Sequence, residues 1–416
     1  MPFCLVRNLG SEEHVRNGGD VNGRVPHVVE IFYQLYGHGD TKVLLIPGVA
    51  ANYEAWGPQL VELCGTDVPN QEEGVGNGNG SQRGGHGYEE YGKEEVGVSG
   101  NGIQACAFDN RGVGRSSMPE DKKHYSTTVM ARDALALMDH LGWERAHIVG
   151  HSMGGMIACK LASIAPERVI SLAMLSTTGG GYQCLPKFDR TMIKIAYRFM
   201  RAKTPEERAH VDLDTHYTKD YLDTLVGEEY RRAILYKDYV KNLSNSGMQP
   251  KHGLDGQFHA CWTHGVSSRE LDRIRNAGVR VVVIHGTGDI VAQVRHARKI
   301  AEKLHPVSRM VELPGGHMIT HQHTKEVNEV LLAAIKDELP SHRYSEWGDE
   351  PLRGKGWNIW QRGEAEDGKV TSVLGSRCVG SVVRILIRYW PQCLSLKYAF
   401  PSFYWFLNWF LKYFYS

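Results

Sequence analysis

The residue of this chain that is most clearly suited to chemistry is a serine in a glycine-rich turn. Residues 148–155 read Ile-Val-Gly-His-Ser-Met-Gly-Gly, so that Ser152 stands between Gly150 and Gly154. An apolar run precedes the turn, and a helix-like run at 156–165 follows it. A serine on such a strand-to-helix turn presents its hydroxyl at the carboxyl edge of a sheet, and the glycines leave room for neighbouring backbone. The pattern predicts that Ser152 is a nucleophile.

A serine hydroxyl is a poor nucleophile without a base, and the base needs a group that orients it. Two later apolar runs each end in a turn that carries one of these residue types. Asp289 follows the run 281–284, and His317 follows the run 309–313. We therefore expect a catalytic group of Ser152, Asp289 and His317, in which His317 is the base and Asp289 orients it.

Backbone N–H groups beside the serine could hold an oxyanion. The helix that begins after Ser152 aims its first N–H groups at the same place, which makes the N–H of Met153 one candidate donor. Residues 47–52, Pro-Gly-Val-Ala-Ala-Asn, follow an earlier apolar run. We call this segment the oxyanion loop and take the N–H of Val49 as the second candidate donor.

Strand-like and helix-like segments alternate along most of the chain. Apolar runs and helical spacing predict strands at 28–36, 42–46, 103–108, 146–149, 169–175, 279–285 and 309–313, and helices at 53–63, 127–141, 156–165, 294–304 and 325–336. This alternation predicts an α/β fold with a mainly parallel sheet and helices on both faces.

The same pattern predicts a division of the chain into parts. Residues 1–178 form the first part of the α/β core and carry an insertion at 71–102, rich in Gly, Asn and Glu, that we expect to be disordered or mobile. Residues 179–278 are charged and mostly helical in pattern, and we call them the cap. Residues 279–338 complete the core, and 339–416 form a C-terminal extension.

The chain order Ser152, Asp289, His317 and the turns around these residues resemble the α/β-hydrolase fold superfamily over about residues 28–338. Residues 109–117, Asp-Asn-Arg-Gly-Val-Gly-Arg-Ser-Ser, also resemble the loop after that family's fourth strand. The resemblance implies an eight-stranded type of sheet with a helical cap above it. Within the superfamily the chain is similar to serine esterases and lipases, and to plant proteins of the aminoacrylate-hydrolase-like group.

The resemblance also implies a reaction, which is hydrolysis of a carboxylic ester, with lipid-derived esters among the expected substrates. Epoxide and haloalkane hydrolases of this fold use an aspartate nucleophile, whereas position 152 is serine. Acyltransferase relatives often carry His-x-x-x-x-Asp, and none of the 20 histidines has Asp five residues later. Two alternatives stay open: cleavage of a C–C, amide or carbamate bond by the same triad, and a ligand receptor without catalysis.

Other polar residues near these turns have structural interpretations. Pro47 stands where the family often has histidine, but it leaves the backbone donors of the oxyanion loop in place. We expect His151 to pack beside the nucleophile, and His321 and His323 to cap or solvate the following helix. Asp109 and Arg111, in the turn after the strand at 103–108, are expected to brace that turn by hydrogen bonding.

Composition narrows the possible partners. A net charge of +1 over 416 residues argues against a general nucleic-acid binder. The eight cysteines have no paired metal spacing, which indicates reduced thiols in a cytoplasmic compartment. We expect no cofactor and no metal, and a small acyl compound as substrate. The first residues lack the apolar run of a signal peptide.

The end of the chain has a composition of its own. Residues 368–416 contain no Asp or Glu, and the last stretch is rich in Phe, Tyr and Trp. Several of its apolar side chains fall on one helical face, a pattern typical of a peripheral membrane helix. We expect residues 379–416 to bind a membrane or lipid-droplet surface, with packing on the protein itself or in a dimer as the alternative.

Overall fold

A computed structural model of the chain describes residues 2–7, 28–70, 101–186, 189–247, 249–336 and 338. Its strands are β1 Phe3–Arg7, β2 Val28–Tyr36, β3 Thr41–Ile46, β4 Ile103–Phe108, β5 Ala146–His151, β6 Val169–Leu175, β7 Leu225–Val226, β8 Glu229–Tyr230, β9 Arg280–Gly286 and β10 Ser308–Leu313. Its α-helices are α1 Gly57–Cys64, α2 Thr127–His140, α3 Met153–Ile164, α4 Arg190–Arg201, α5 Pro205–His216, α6 Lys219–Leu222, α7 Arg231–Ser246, α8 Lys251–Thr263, α9 Ser268–Asn276, α10 Val294–Leu304, α11 Ile319–Gln322 and α12 Thr324–Ile335.

Eight of the strands form one sheet in the order β1-β2-β4-β3-β5-β6-β9-β10. The pairs β1/β2 and β2/β4 are antiparallel, and the remaining neighbours are parallel. The predicted α/β class and its mostly parallel, eight-stranded sheet are confirmed. The edge strand β1 was not predicted, because it has only five residues and its exposed Leu5 obscures the alternation of buried Cys4 and Val6.

Helices cover both faces of the sheet, and each face has its own apolar core. On one face, side chains of α2, α3, α9 and α10 pack together with alternate residues of the strands. On the other face, α1 and α12 supply Leu60, Leu63, Val327 and Leu331. The inner parallel strands are buried on both sides along most of their length, which is why they stand out as apolar runs in the sequence. The carboxyl ends of the parallel strands meet at one edge of the sheet.

In the range predicted as a cap, 179–278, the described residues form the six α-helices α4 to α9, a short 3-10 helix at Gly181–Cys184 and the hairpin β7/β8. These helices differ in how deeply they are buried. None of residues 231–244 of α7 is buried, whereas α8 buries five residues, among them Gln257 and Ala260. Helix α9 contacts α3 and α10, which flank the sheet, and its Leu271 and Ile274 belong to the core of that face.

Two predictions fall on parts of the chain that the structure does not describe. The predicted insertion at 71–102 lies outside the described residues except for its last two, and the C-terminal extension at 339–416 lies outside them altogether. Within the described ranges, no helix combines the length and the apolar character needed to cross a membrane.

Candidate active site

The turn between β5 and α3 holds Ser152 in an unusual backbone conformation. Ser152 has φ 54° and ψ −117°, and its N–H donates to the carbonyl of Leu175 at 2.8 Å. Positive φ at a non-glycine residue costs free energy and persists only where the surroundings impose it. They do so here, because a Cβ on Gly150 would lie 2.2 Å from the oxygen of Gly154, and one on Gly154 would lie 2.0 Å from that of Ile46. The glycines thus permit the close packing that forces the serine outward.

Three side chains that were predicted from the sequence to act together form one hydrogen-bonded network. The Nε2 atom of His317 lies 3.0 Å from the Oγ of Ser152, and its Nδ1 lies 2.8 Å from the Oδ2 of Asp289. A carboxylate only accepts hydrogen bonds, so Nδ1 carries the proton and Nε2 is free to accept from the hydroxyl. His317 and Asp289 are buried and Ser152 is partly exposed, so that the hydroxyl is the accessible end of the chain.

Asp289 is held as a carboxylate by four groups around it. Its Oδ1 accepts from the backbone N–H groups of Val291 and Ala292, both at 2.8 Å. Its Oδ2 lies 3.4 Å from the Nε2 of His285 in addition to the bond from His317. Burial opposes ionisation, but the charges and hydrogen bonds of His317 and His285 outweigh it and hold the pKa of Asp289 below its usual value.

Two further histidines flank His317. The Nε2–H of His151 donates to the carbonyl of His317 at 3.0 Å, and burial, followed by the nearby His317, lowers the pKa of His151 to about 3. His216, at the end of α5, places its ring centroid 5.8 Å from that of His317, and burial likewise lowers its pKa to about 3. Both flanking rings are therefore neutral at pH 7. His216 was not predicted from the sequence, because nothing in its local pattern marks it.

The predicted oxyanion donors belong to two segments that adjoin the nucleophile. A Cβ on Gly48 would lie 3.2 Å from the Cβ of Ser152, so the oxyanion loop passes directly beside the serine. Met153 is the first residue of α3, and the first N–H groups of a helix have no partner within it. Among the described residues, no acceptor is bonded to the N–H of either Val49 or Met153.

The turn after β4 braces the oxyanion loop. Asn110 Nδ2 donates to the carbonyl of Pro47 at 2.9 Å, and Asp109 accepts from the N–H of Tyr53 at 2.8 Å. Burial raises the pKa of Asp109 to about 6, although its N–H donors oppose this rise. Arg111 makes a bidentate ion pair with Asp133, at 2.6 Å for both bonds. Asp109 and Arg111 thus make bracing hydrogen bonds, and Asn110, which was not singled out, joins them.

His321 has different surroundings from those expected, whereas His323 occupies the N-cap position of the following helix, α12, without a side-chain capping bond. His321 bridges the hydroxyl of Tyr217, at 3.0 Å from Nδ1, and the carbonyl of Ala55, at 3.2 Å from Nε2, and so does not solvate the following helix. His323 directly precedes α12, and its Nδ1 lies 3.5 Å from Glu326. Within the part of the chain that the structure describes, no group of three or more His, Cys, Asp or Glu is arranged to hold a metal ion.

A small apolar cavity of about 30 Å³ adjoins the oxyanion loop. Its lining comes from the oxyanion loop, the short helical turn after it, the end of β5 and the residues just after His317. The lining residues are Pro47, Gly48, Ala51, Ala55, Trp56, His151, Met318 and Thr320. A space of this size accommodates a group of one or two carbon atoms.

The fold and this site agree with a comparison to protein families. A family model described as the alpha/beta hydrolase fold matches residues 83–324, which is more than half of the chain. The chain belongs to the α/β hydrolase fold family, as its strand order and the turn around Ser152 indicate.

Individual relatives are distant in sequence. The chain is 27% identical over 234 residues to BpoC of Mycobacterium tuberculosis, named a candidate non-heme bromoperoxidase, and covers 82% of that protein with 56% of its own length. It is 27% identical over 249 residues to a fluoroacetate dehalogenase of a Burkholderia species, with 56% of this chain and 78% of the relative covered. The structure of an enol-lactonase from Burkholderia xenovorans matches 74% of this chain and 97% of its own, with 19% identity and a TM-score of 0.54.

Proposed function

We propose that this protein is a serine hydrolase that cleaves a carboxylic ester through Ser152, His317 and Asp289. The observation that carries the proposal is the continuous hydrogen-bonded chain from the Asp289 carboxylate through the His317 imidazole to the Ser152 hydroxyl. A hydroxyl, an imidazole and a carboxylate in this order are the three parts that nucleophilic catalysis by serine requires. The family and the varied chemistry of its relatives support a hydrolase without specifying the bond.

Acylation comes first in the proposed reaction. The Oγ of Ser152 attacks the carbonyl carbon while its proton passes to the Nε2 of His317. The tetrahedral intermediate carries a negative oxygen, and the N–H groups of Val49 and Met153 are our proposed donors to it. His317 then gives its proton to the leaving alkoxide, and the alcohol departs from the acyl-enzyme.

Deacylation repeats the proton transfers with water. His317 takes a proton from a water molecule, whose oxygen attacks the acyl carbon, and the proton then returns to the Oγ of Ser152 as the acid leaves. Asp289 holds the proton on Nδ1 of His317 in both halves and stabilises the imidazolium that forms. The low pKa of Asp289 is consistent with this role, since the acid must stay ionised throughout.

A short acyl group is the form of substrate that the small cavity beside the oxyanion loop favours. Its volume of about 30 Å³ and its apolar lining, including Trp56 and Met318, suit an acetyl or propionyl group. We therefore use 4-nitrophenyl acetate as the first probe. A lipid-derived ester with a long acyl chain would need space beyond this cavity, and 4-nitrophenyl octanoate tests for it.

Labelling with a fluorophosphonate probe tests the nucleophile. Wild-type protein should be labelled on Ser152, as located by mass spectrometry of the modified peptide, and Ser152→Ala should not be labelled. Ser163→Ala is a matched control, because the hydroxyl of this buried serine donates to the carbonyl of Lys160 at 2.8 Å, within its own helix α3. Wild-type protein that neither reacts with the probe nor hydrolyses any ester would contradict the proposal.

The two alternatives give different results in the same assays. A C–C, amide or carbamate hydrolase would be labelled on Ser152 but would turn over a diketone, anilide or carbamate much faster than 4-nitrophenyl acetate. A receptor would bind its ligand equally well as wild type and as Ser152→Ala, with no turnover in either.

Membrane binding by residues 379–416 stays a separate proposal, supported by their aromatic and cationic composition. Flotation with anionic vesicles compares the full chain with a chain that ends at residue 378. Equal soluble fractions would contradict it.

A further inference from the structure

The peptide group that carries the N–H of Val49 lies between two peptide groups that are fixed by side chains. On one side, the carbonyl of Pro47 accepts a hydrogen bond from Asn110 at 2.9 Å. On the other side, the N–H of Ala50 donates to the Oε1 of Gln257, also at 2.9 Å. Each peptide group is planar, so only the backbone dihedrals of Gly48 and Val49 lie between these two anchors. The direction of the Val49 N–H therefore depends on both of them.

The anchor at Ala50 also opposes a local strain. Ala50 has φ 59°, a left-handed conformation that costs a residue with a Cβ about 1–2 kcal/mol. Without an external hydrogen bond, the loop could relieve this strain by rotating the peptide group between Val49 and Ala50. The bond to Gln257 opposes that rotation, and through it Gln257 fixes the loop in the conformation that turns toward Ser152.

Gln257 is itself fixed on three sides. Its side chain is fully buried, and its Nε2 donates to the carbonyl of Arg111 at 3.0 Å. Its Oε1 accepts a second hydrogen bond from Gln249 at 3.1 Å in addition to the one from Ala50. The Arg111 side chain in turn is locked by its bidentate ion pair with Asp133. A side chain held in this way is a rigid support for the loop.

Helix α8, which carries Gln257, packs closely on the core. A Cβ on Gly253 would lie 2.3 Å from the carbonyl oxygen of Gly112, and one on Gly256 would lie 2.4 Å from the ring of Tyr125. The two glycines let the helix backbone approach the turn after β4, and one helical turn beyond Gly253 this brings Gln257 onto Ala50. The support for the loop therefore comes from within the predicted cap, 207 residues away in sequence.

We infer that Gln257 is a positioning residue, which holds the oxyanion loop so that the N–H of Val49 points at the developing oxyanion. This inference rests on the proposed function. Gln257 touches no reacting atom in it and acts only through the Val49–Ala50 peptide group. Because donors aligned to the transition state lower its energy more than that of the bound substrate, losing the support should lower kcat and leave KM nearly unchanged.

The test compares Gln257→Leu with wild type in hydrolysis of 4-nitrophenyl acetate by the full chain. Loss of a whole oxyanion donor costs roughly a hundredfold to a thousandfold in kcat, so a misaligned donor should cost on the order of tenfold to a hundredfold. KM should change less than about threefold. Asn328→Leu is the matched control: it also removes a buried side-chain amide, one that donates to the carbonyl of Pro58 at 3.1 Å on the opposite face of the sheet. Its kcat should stay within about twofold of wild type.

Two outcomes would overturn the inference. One is a kcat for Gln257→Leu that matches that of Asn328→Leu at similar Tm values. The other is a KM that rises while kcat stays constant, since that pattern would make Gln257 a ground-state binding residue. If Gln257→Leu does not fold, Gln257→Asn keeps the amide but withdraws it from Ala50 by about 1.5 Å, and the same loss of kcat is required. If wild-type protein itself shows neither turnover nor fluorophosphonate labelling, the proposed function fails, whichever result the variants give.

Discussion

Replacement of Asp289 by asparagine tests the proposed triad at the residue whose geometry is most constrained. Asn has the same shape as Asp, but its side chain ends in one acceptor oxygen and one NH₂ donor instead of two acceptor oxygens. The Oδ1 of Asp289 accepts from two backbone N–H groups, those of Val291 and Ala292. The amide oxygen of the asparagine must occupy that position, because its NH₂ group there would face two donors. The NH₂ group is then forced to the Oδ2 position, 2.8 Å from the Nδ1 of His317.

An NH₂ group at that position reverses the tautomer of His317. Nδ1 must become an acceptor, so the proton moves to Nε2, which then points a hydrogen at Ser152 and cannot take its proton. The same substitution in the serine-protease template costs about ten-thousandfold in kcat. We expect a loss of roughly a thousandfold to ten-thousandfold here, equal to about 4–5.5 kcal/mol of activation free energy.

The assay is kcat for 4-nitrophenyl acetate at pH 7.5, with Ser152→Ala as the background rate and thermal unfolding as the check on folding. Asp212→Asn serves as a control, because it makes the same change in a buried carboxylate that pairs with Arg208 on α5. That variant should lose stability while its rate stays close to wild type. A folded Asp289→Asn variant that keeps more than a tenth of the wild-type kcat would refute the tautomer argument.

Three further predictions concern stability. Gly154→Ala should destabilise the fold by more than about 2 kcal/mol in urea unfolding, because the new Cβ would lie 2.0 Å from the backbone oxygen of Ile46. Gly265→Ala is the control: it has open space around it and should change stability by less than about 0.5 kcal/mol. Equal effects of the two substitutions would contradict the argument from close packing. Asp133→Asn should cost about 3–5 kcal/mol in the same measurement, because it leaves the buried guanidinium of Arg111 without a counter-charge, and a loss below about 1 kcal/mol would be inconsistent with that view. His264→Asn should make the free energy of unfolding less sensitive to acid. Burial, followed by the charge of Lys160, lowers the pKa of His264 to about 3 in the folded protein. The contribution of neutral His264 to stability is therefore present above the unfolded pKa near 6.5 and is lost as the pH falls toward 3. At pH 5 this loss amounts to about 2 kcal/mol. His151 and His216 titrate in both proteins, so between pH 7.5 and pH 5 the free energy of unfolding in denaturant should fall by about 2 kcal/mol more in wild type than in the variant, and equal falls would contradict the assignment to His264.

Local sequence was sufficient to predict seven of the eight strands of the large sheet and the place of the proposed triad. Strands β2, β4 and β6 begin and end at the predicted residues. Strands β4 and β6 are buried almost throughout and therefore stand out as apolar runs, whereas β2 is only partly buried and is delimited by the turn residues that follow it. Ser152, Asp289 and His317 each follow such a strand. Since parallel strands end at the same edge, their order along the chain was enough to place them together.

The supporting residues could not be predicted in the same way. Gln257, Asn110 and His216 act through contacts between segments that are far apart in sequence, and nothing in their local pattern separates them from ordinary polar residues of a helix or a turn. The spacing of Gly253 and Gly256 before Gln257 was the only local sign of close packing on α8. Even this sign gives no partner, because a helical glycine is equally compatible with a flexible or an exposed position.

Two helices of the predicted cap range contact different parts of the site. Helix α8 buries five residues and contacts the oxyanion loop through Gln257, so it packs as part of the core. Helix α7, by contrast, packs three side chains against a small buried cluster, and Met318 packs against the same cluster. The α7 side chains are Leu235, Tyr236 and Tyr239, and the cluster consists of Leu213, Tyr217 and Leu222. Met318 directly follows His317 and also lines the cavity beside the oxyanion loop. We therefore expect substitutions on α7 to alter the cavity beside the oxyanion loop without moving the proposed donor at Val49, because the two parts of the site contact different helices.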